Sequence, residues 1–248
     1  MSDALAGRLV VVTGATGTVG RAVTAAVRAE GGRVLAQYRA DEVGAAALRD
    51  AGAVTVRADL TTDEGHRLLA DALAAAGGAD AFVNTLHTTR ATARVADMAE
   101  EVLREHLDSV LLHARLLQLV LPDMRERGDG RIVYISGALA ARPADGKGAY
   151  GAAKAAADAL TRYVAWEEGP AGITANIVAP GRIVDPSEPE PELTPEWARL
   201  AEELRGRLAL RRFPTPQEVA QAVLSCLVPQ ASAITGQTIW VTGGESLR

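Results

Sequence analysis

Tyr150 and Lys154 stand four residues apart in the run Tyr150-Gly-Ala-Ala-Lys154. On a helix that spacing brings a phenol and an ammonium within roughly 5–6 Å of each other. A lone phenol, with a pKa of about 10, exchanges its proton poorly at neutral pH. A cation at that range, with an effective dielectric near 20, favours the phenolate by at most roughly 3 kcal/mol, or about two pKa units. The pair therefore reads as acid/base chemistry, with Tyr150 moving the proton and Lys154 tuning it. The same spacing also occurs on solvated helix faces, so the reading depends on the neighbours.

A second candidate lies near the amino terminus. Leu9-Val-Val-Val12 reads as a buried strand and runs into Thr13-Gly-Ala-Thr-Gly-Thr-Val-Gly20, followed by a helical pattern at Val19, Val23, Ala26 and Val27. Glycine lets the backbone turn tightly and approach a pyrophosphate, and the free N–H groups of the following helix attract the anion. Gly14, Thr16, Gly17, Thr18, Val19 and Gly20 are the expected contacts. Plain turn glycines are the alternative.

The elements that must position these groups follow from pattern and composition. Short β-rich runs at 9–13, 33–38, 53–57, 80–84, 131–136, 173–178 and 237–241 alternate with helical patterns. This predicts an α/β fold with a doubly wound, seven-stranded parallel sheet of Rossmann type. Thr62 before Asp63-Glu64, and Thr215-Pro-Gln-Glu218, mark helix starts. The 248 residues hold no internal repeat and no linker, so one domain over 1–248 is expected. The one cysteine, Cys226, excludes an intramolecular disulfide and a cysteine metal cluster, and no metal site is expected. A net charge of −5 and a pI of 5.5 argue against nucleic acid. The most apolar stretch, Val110 to Leu121, is broken by His113, Arg115 and Gln118, too short and polar for a bilayer. With no hydrophobic signal core at the start, the expected location is cytoplasmic.

The helical pattern from about Glu101 to Met124 is apolar over more than one face: Leu103, Leu107, Val110, Leu111, Ala114 and Leu117, widened by Leu112, Leu116, Leu119 and Val120. A sheet covers one side only, so a second subunit is expected on the other, giving a dimer or tetramer.

Taken together, these runs resemble the short-chain dehydrogenase/reductase family over nearly the whole chain. Asp59-Leu60, Gly130-Arg-Ile-Val, Asn176-Ile-Val-Ala-Pro-Gly181 and Ile234-Thr-Gly-Gln-Thr-Ile-Trp-Val-Thr-Gly-Gly244 add to it. The resemblance implies a nicotinamide dinucleotide and often a tetramer built on the long helix and the one near Tyr150. It implies that Asp59 meets the adenine, with Leu60 beside it, and that Pro180-Gly181 and Ile183 flank the nicotinamide. It also implies that Asn84 lies near the cofactor, that Tyr150 donates the proton, and that Lys154 holds the ribose. Gln37-Tyr38-Arg39 carries no acid to accept a ribose 2′-hydroxyl, whereas Arg39 is placed to pair with a 2′-phosphate. NADP(H) is therefore favoured over NAD(H).

The departures from the family pattern matter as much. Thr18 stands where its middle glycine is expected, with Gly17 one place early. Asn84-Thr-Leu-His87 replaces Asn-Asn-Ala-Gly, and His87 reads as a substrate ligand, a second acid or a packed loop histidine. The positions of the catalytic serine and asparagine fall on Gly137 and Ser109. Ser136 is adjacent, but neighbouring strand residues point to opposite faces, so it serves only if a bulge turns it inward. Residues 183–210, with the acidic, proline-rich run after Asp185 and then Trp197, Leu200 and Leu204, read as a substrate lid that disfavours anionic substrates. The expected activity is NADP(H)-dependent hydride transfer to or from a small carbonyl or alcohol. The alternative is a divergent non-redox member: a cofactor-binding scaffold, a partner subunit, or an isomerase or lyase.

Overall fold

Seven runs of β-branched and other apolar residues form seven strands: β1 (Leu9–Thr13), β2 (Arg33–Tyr38), β3 (Val54–Arg57), β4 (Ala81–Asn84), β5 (Gly130–Ile135), β6 (Ile173–Pro180) and β7 (Thr238–Val241). They come from a computed structural model that describes residues 3–186 and 194–245. All pair in parallel in the order β3-β2-β1-β4-β5-β6-β7. The order reverses direction at β1, and such a switch point opens a crevice beyond the carboxyl ends of the strands. The seven strand positions read from the sequence are the seven observed, each within one or two residues at its ends.

Successive strand residues alternate between faces. Val10 and Val12 of β1 join Val34, Val83 and Val133 beneath α1 (Thr18–Ala29) and α7 (Pro216–Leu227). Leu9 and Val11 face the other way, with Leu35, Phe82 and Ile132, toward α3 (Asp63–Ala76), α4 (Glu100–Arg127) and α5 (Gly148–Glu167). The helix starts hold for the reasons read from the sequence. Thr62 Oγ1 accepts from Gly65 N at 3.0 Å. Thr215 and Glu218 complete a reciprocal capping box, with Glu218 N on Thr215 Oγ1 at 3.2 Å and Thr215 N on Glu218 Oε2 at 2.8 Å. Cys226 is buried within α7, and burial pushes its thiol pKa up.

α4 buries Leu112, Leu116, Leu117, Val120 and Met124 against the sheet, and leaves Leu107 39% and Leu111 63% exposed. The apolar surface beyond the sheet contact is thus real and open. α2 (Glu42–Asp50) and α6 (Pro195–Arg207) complete the helices. α6 falls within the expected lid, whereas residues 187–193 and the side chain of Trp197 lie outside the described residues. Among the described residues no helix is long and apolar enough to cross a membrane.

Candidate active site

The β1–α1 turn forms one wall of a cleft of about 530 Å³ at the switch point, lined by Gly14, Thr16, Gly17, Thr18, Val19 and Gly20. Gly14 has φ +66°, and a side chain there would meet Thr85 Oγ1 at 2.7 Å and Leu86 Cδ2 at 2.9 Å. A Cβ on Gly20 would run into the Gly14 carbonyl, which lets α1 start close under the turn. Gly17 is the N-cap of α1 and no side chain caps it. The first N–H groups of α1 are therefore left for an anion. Behind the turn, the buried Gln37 takes Gly14 N on its Oε1 at 2.9 Å and donates from Nε2 to Ala58 O at 2.6 Å.

Arg39, Asp41, Asp59 and Leu60 line the same cleft. Arg39 is exposed, while Asp41 is engaged in capping α2 through Gly44 N at 2.9 Å. Asp59 Oδ1 accepts from Thr61 Oγ1 at 2.7 Å and Thr61 N at 3.1 Å, bonds that hold its carboxyl below the usual range. An uncapped helix start, a glycine turn with no room for side chains, and a long open cleft with a cation at one end fit a dinucleotide. Asn84 does not line that cleft. It is buried, its Oδ1 accepting from Thr13 Oγ1 at 2.9 Å and Leu86 N at 3.0 Å, its Nδ2 bonded to His113 Nδ1 at 3.0 Å. Pro180 ends β6, Gly181 N bonds Val241 O at 3.0 Å, and Ile183 packs on the α1/α7 core, so these three stand aside from the cleft lining as well.

Tyr150 and Lys154 lie one turn apart on α5, and Lys154 Nζ donates to Ile135 O at 2.7 Å, 5.8 Å from the Tyr150 ring centre and 4.7 Å from that of Tyr134. Lys154 is buried, which brings its pKa down to about 8, with Asp158 pulling the other way. The Tyr150 pKa is raised, by burial first and by Asp158 second, the opposite direction to the lowering expected from Lys154. Burial disfavours the charged phenolate, and a nearby carboxylate does the same.

Gly137 is extended, with φ −170°, and a Cβ on it would lie 2.9 Å from the Tyr150 hydroxyl. The N–H of Ser136 continues the ladder to Val178 O at 2.8 Å. The Ser136 hydroxyl sits beside Asp158 of α5. Ser109 is committed to the loop after β4, with Thr88 N at 3.0 Å and Thr88 Oγ1 at 2.7 Å on its Oγ.

What stands beside Tyr150 instead is a pair of imidazoles. The His87 ring centre is 4.8 Å from that of Tyr150, edge-on, and His106 from α4 is 6.1 Å away. His106 Nε2 must carry a proton to bond Ala91 O at 3.0 Å, so its Nδ1 accepts from His87 Nε2 at 2.8 Å. His87 Nδ1 is then a bare acceptor, buried and without a partner. Burial, Lys154 and His106 bring the His87 pKa down to about 3. Tyr150, His87, His106, Lys147 and Arg90 share a side cavity of about 350 Å³.

With that geometry in view, the comparisons are decisive. The profile of the family described as enoyl-(acyl carrier protein) reductase matches residues 14–246. 3β-hydroxysteroid dehydrogenase 1 of Eggerthella lenta is 32% identical over 257 residues, covering 100% of this chain and 97% of that one. An oxidoreductase of the short-chain dehydrogenase/reductase family from Burkholderia thailandensis superposes with a TM-score of 0.81 at 34% identity, over 96% and 92% of the two chains. The chain belongs to the short-chain dehydrogenase/reductase family. As a short-chain dehydrogenase/reductase it sits among oxidoreductases that use nicotinamide dinucleotides. Another solved chain, described as ribose-5-phosphate isomerase from Brucella melitensis, superposes on this family member with a TM-score of 0.86 at 29% identity, over 98% and 94%.

Two residues of this short-chain dehydrogenase/reductase escaped the sequence reading. His106 falls three positions before Ser109, on the same helical face, and Asp158 falls one turn beyond Lys154. Extending the Tyr150–Lys154 spacing by four would have found the second.

Proposed function

We propose that the chain is an NADP(H)-dependent oxidoreductase that reduces a small carbonyl compound or oxidises the matching alcohol. The observation that carries this reading is the convergence of Tyr150 and Lys154 at the carboxyl ends of β4 and β5, beside a glycine-turn cleft with an uncapped helix start. Gly14, Thr16, Gly17, Thr18, Val19 and Gly20 would hold the pyrophosphate, Asp59 and Leu60 the adenine end, and Arg39 a 2′-phosphate. Asn84 contributes by bracing the loop after β4, while Pro180, Gly181 and Ile183, which follow from the end of β6, are the residues the family resemblance sets against the nicotinamide.

When bound, the dinucleotide supplies or accepts the hydride. Tyr150 moves the proton at the substrate oxygen, and Lys154, anchored on Ile135 O, keeps a positive charge close to it. Burial keeps the phenol protonated, a state suited to giving a proton. With Gly137 in place of a hydroxyl donor, one contact to the substrate oxygen is missing. Such a loss typically costs roughly 2.7–4 kcal/mol of transition-state stabilisation. Turnover is accordingly slow, with water or the substrate's own groups filling the gap.

Following NADPH and NADH oxidation across a panel of ketones and aldehydes tests the reading, with Tyr150→Phe as control. The expected result is NADPH-dependent reduction that the Phe variant loses by about 10²-fold or more while still binding dinucleotide. Binding without turnover on any substrate would favour the second reading, a non-redox member, which draws on the isomerase description of one structural relative and on Gly137 and Ser109. Assembly into a cytoplasmic homo-oligomer through α4, with residues 183–210 as a lid over a small-molecule substrate, belongs to the same proposal. The exposed Leu107 and Leu111 support the α4 contact.

A further inference from the structure

Asp158 lies one helical turn past Lys154 and two past Tyr150, on the face of α5 that meets the sheet. It is 3% exposed, and its Oδ1 has no hydrogen-bond partner. The nearest cations act on it through space: Lys154 is tied to Ile135 O and Arg162 to Thr238 Oγ1 at 3.2 Å. A buried carboxylate without an ion pair is costly to the fold. Its neighbours along the face, Ala153, Ala157 and Thr161, are small and uncharged, so packing does not call for an acid there.

The groups around it define what its charge can do. From α5 these are Tyr150, Lys154 and Arg162. From β5 and its end come Tyr134 and Ser136, the latter a neutral hydroxyl. Beyond them, His113 of α4 packs on Tyr134 at 4.4 Å, and His87 packs on Tyr150. Both imidazoles are held neutral by burial and so add no competing charge near neutral pH.

On the strength of the redox reading above, we propose that Asp158 is a positioning residue, a buried counter-charge that keeps the proton on both Tyr150 and Lys154. The site is thereby set to give a proton, as carbonyl reduction requires. A negative charge near an acid favours its protonated form, whether that form is neutral, as in a phenol, or cationic, as in an ammonium. The directions agree: Asp158 raises Tyr150, and it opposes the burial that lowers Lys154 to about 8. Its own carboxyl is raised by burial, while Ser136, Arg162 and Lys154 pull it down.

The test is the pH profile of kcat/KM for carbonyl reduction in wild type, Asp158→Asn and Asp158→Glu, with melting temperature and dinucleotide binding as controls. Asp158→Asn is expected to move the alkaline limb about one unit toward neutrality, and Asp158→Glu to restore it. A uniform loss at every pH, or an unmoved limb, overturns the proposal. Phenolate absorbance of the cofactor-free protein, taken as the difference from Tyr150→Phe, gives the same answer without turnover. Tyr150 should ionise at lower pH in Asp158→Asn, and an unchanged titration overturns the proposal even where no substrate is found. Absence of turnover on its own counts against the redox reading and leaves this titration to decide on Asp158. Should Asp158→Asn fail to fold, Asp158→Ser is a second neutral side chain for the same space and is read the same way.

Discussion

At the scale of single residues, the site is defined by what Gly137 lacks. A methyl at that position would press on the Tyr150 hydroxyl from 2.9 Å without offering a donor, while a serine would press equally and offer one. Gly137→Ala is therefore expected to lower kcat below wild type. Gly137→Ser should exceed Gly137→Ala by about 10-fold or more, the worth of one donor at a developing oxyanion. Steady-state kinetics on any accepted ketone compares the two, and equal rates would show that no donor acts from this position. The Tyr150–Lys154 juxtaposition was legible in the sequence because i to i+4 on a helix is a local rule, whereas Gly137 in the place of a serine was legible only through the family resemblance. The His87–His106 pair was not legible, since it joins residues 19 positions apart through a loop that follows no period.

At the scale of elements, α4 and the end of β2 carry separate consequences. The leucines at 107 and 111 are one turn apart and both exposed. Leu111→Asp is expected to shift the assembly toward monomer in sedimentation velocity at micromolar concentration, and a wild-type monomer would remove the case for an α4 interface. At the end of β2, Arg39 is exposed beside the cleft with no acid at 37–39. Arg39→Ala should weaken NADPH by about 10-fold, the value of one charge-assisted contact of roughly 1.5 kcal/mol, and leave NADH nearly unchanged. Calorimetric titration with each dinucleotide measures both. The strands were legible because each is a short apolar run bounded by turn residues. The open flank of α4 was legible as surplus apolar surface, whereas what its inner face would meet required coordinates: His106, Ser109 and His113 are buried there beside the leucines.

At the scale of the whole molecule, a half-buried and a fully buried neutral imidazole tie folding to pH. His87 and His113 both have folded-state pKa values of about 3, below the ordinary 6.5. Between those limits the unfolded chain binds more protons than the folded one, so stability rises with pH there. The contribution is complete above about 6.5 and is lost progressively as pH falls toward 3. Urea midpoints should therefore drop on acidification below about 6.5. His113→Gln should show a shallower drop, although it starts from a lower midpoint because the bonds to Asn84 and Thr161 are lost. A flat pH dependence in wild type would contradict this. Gln37, finally, joins the ends of three neighbouring strands: its amide holds the turn after β1 on one side and the chain leaving β3 on the other. Redesign of coenzyme preference by installing an acid on β2 must leave this position alone. The substitution Gln37→Glu would set a carboxylate oxygen against the Ala58 carbonyl, acceptor against acceptor, and loosen the very turn on which either coenzyme depends.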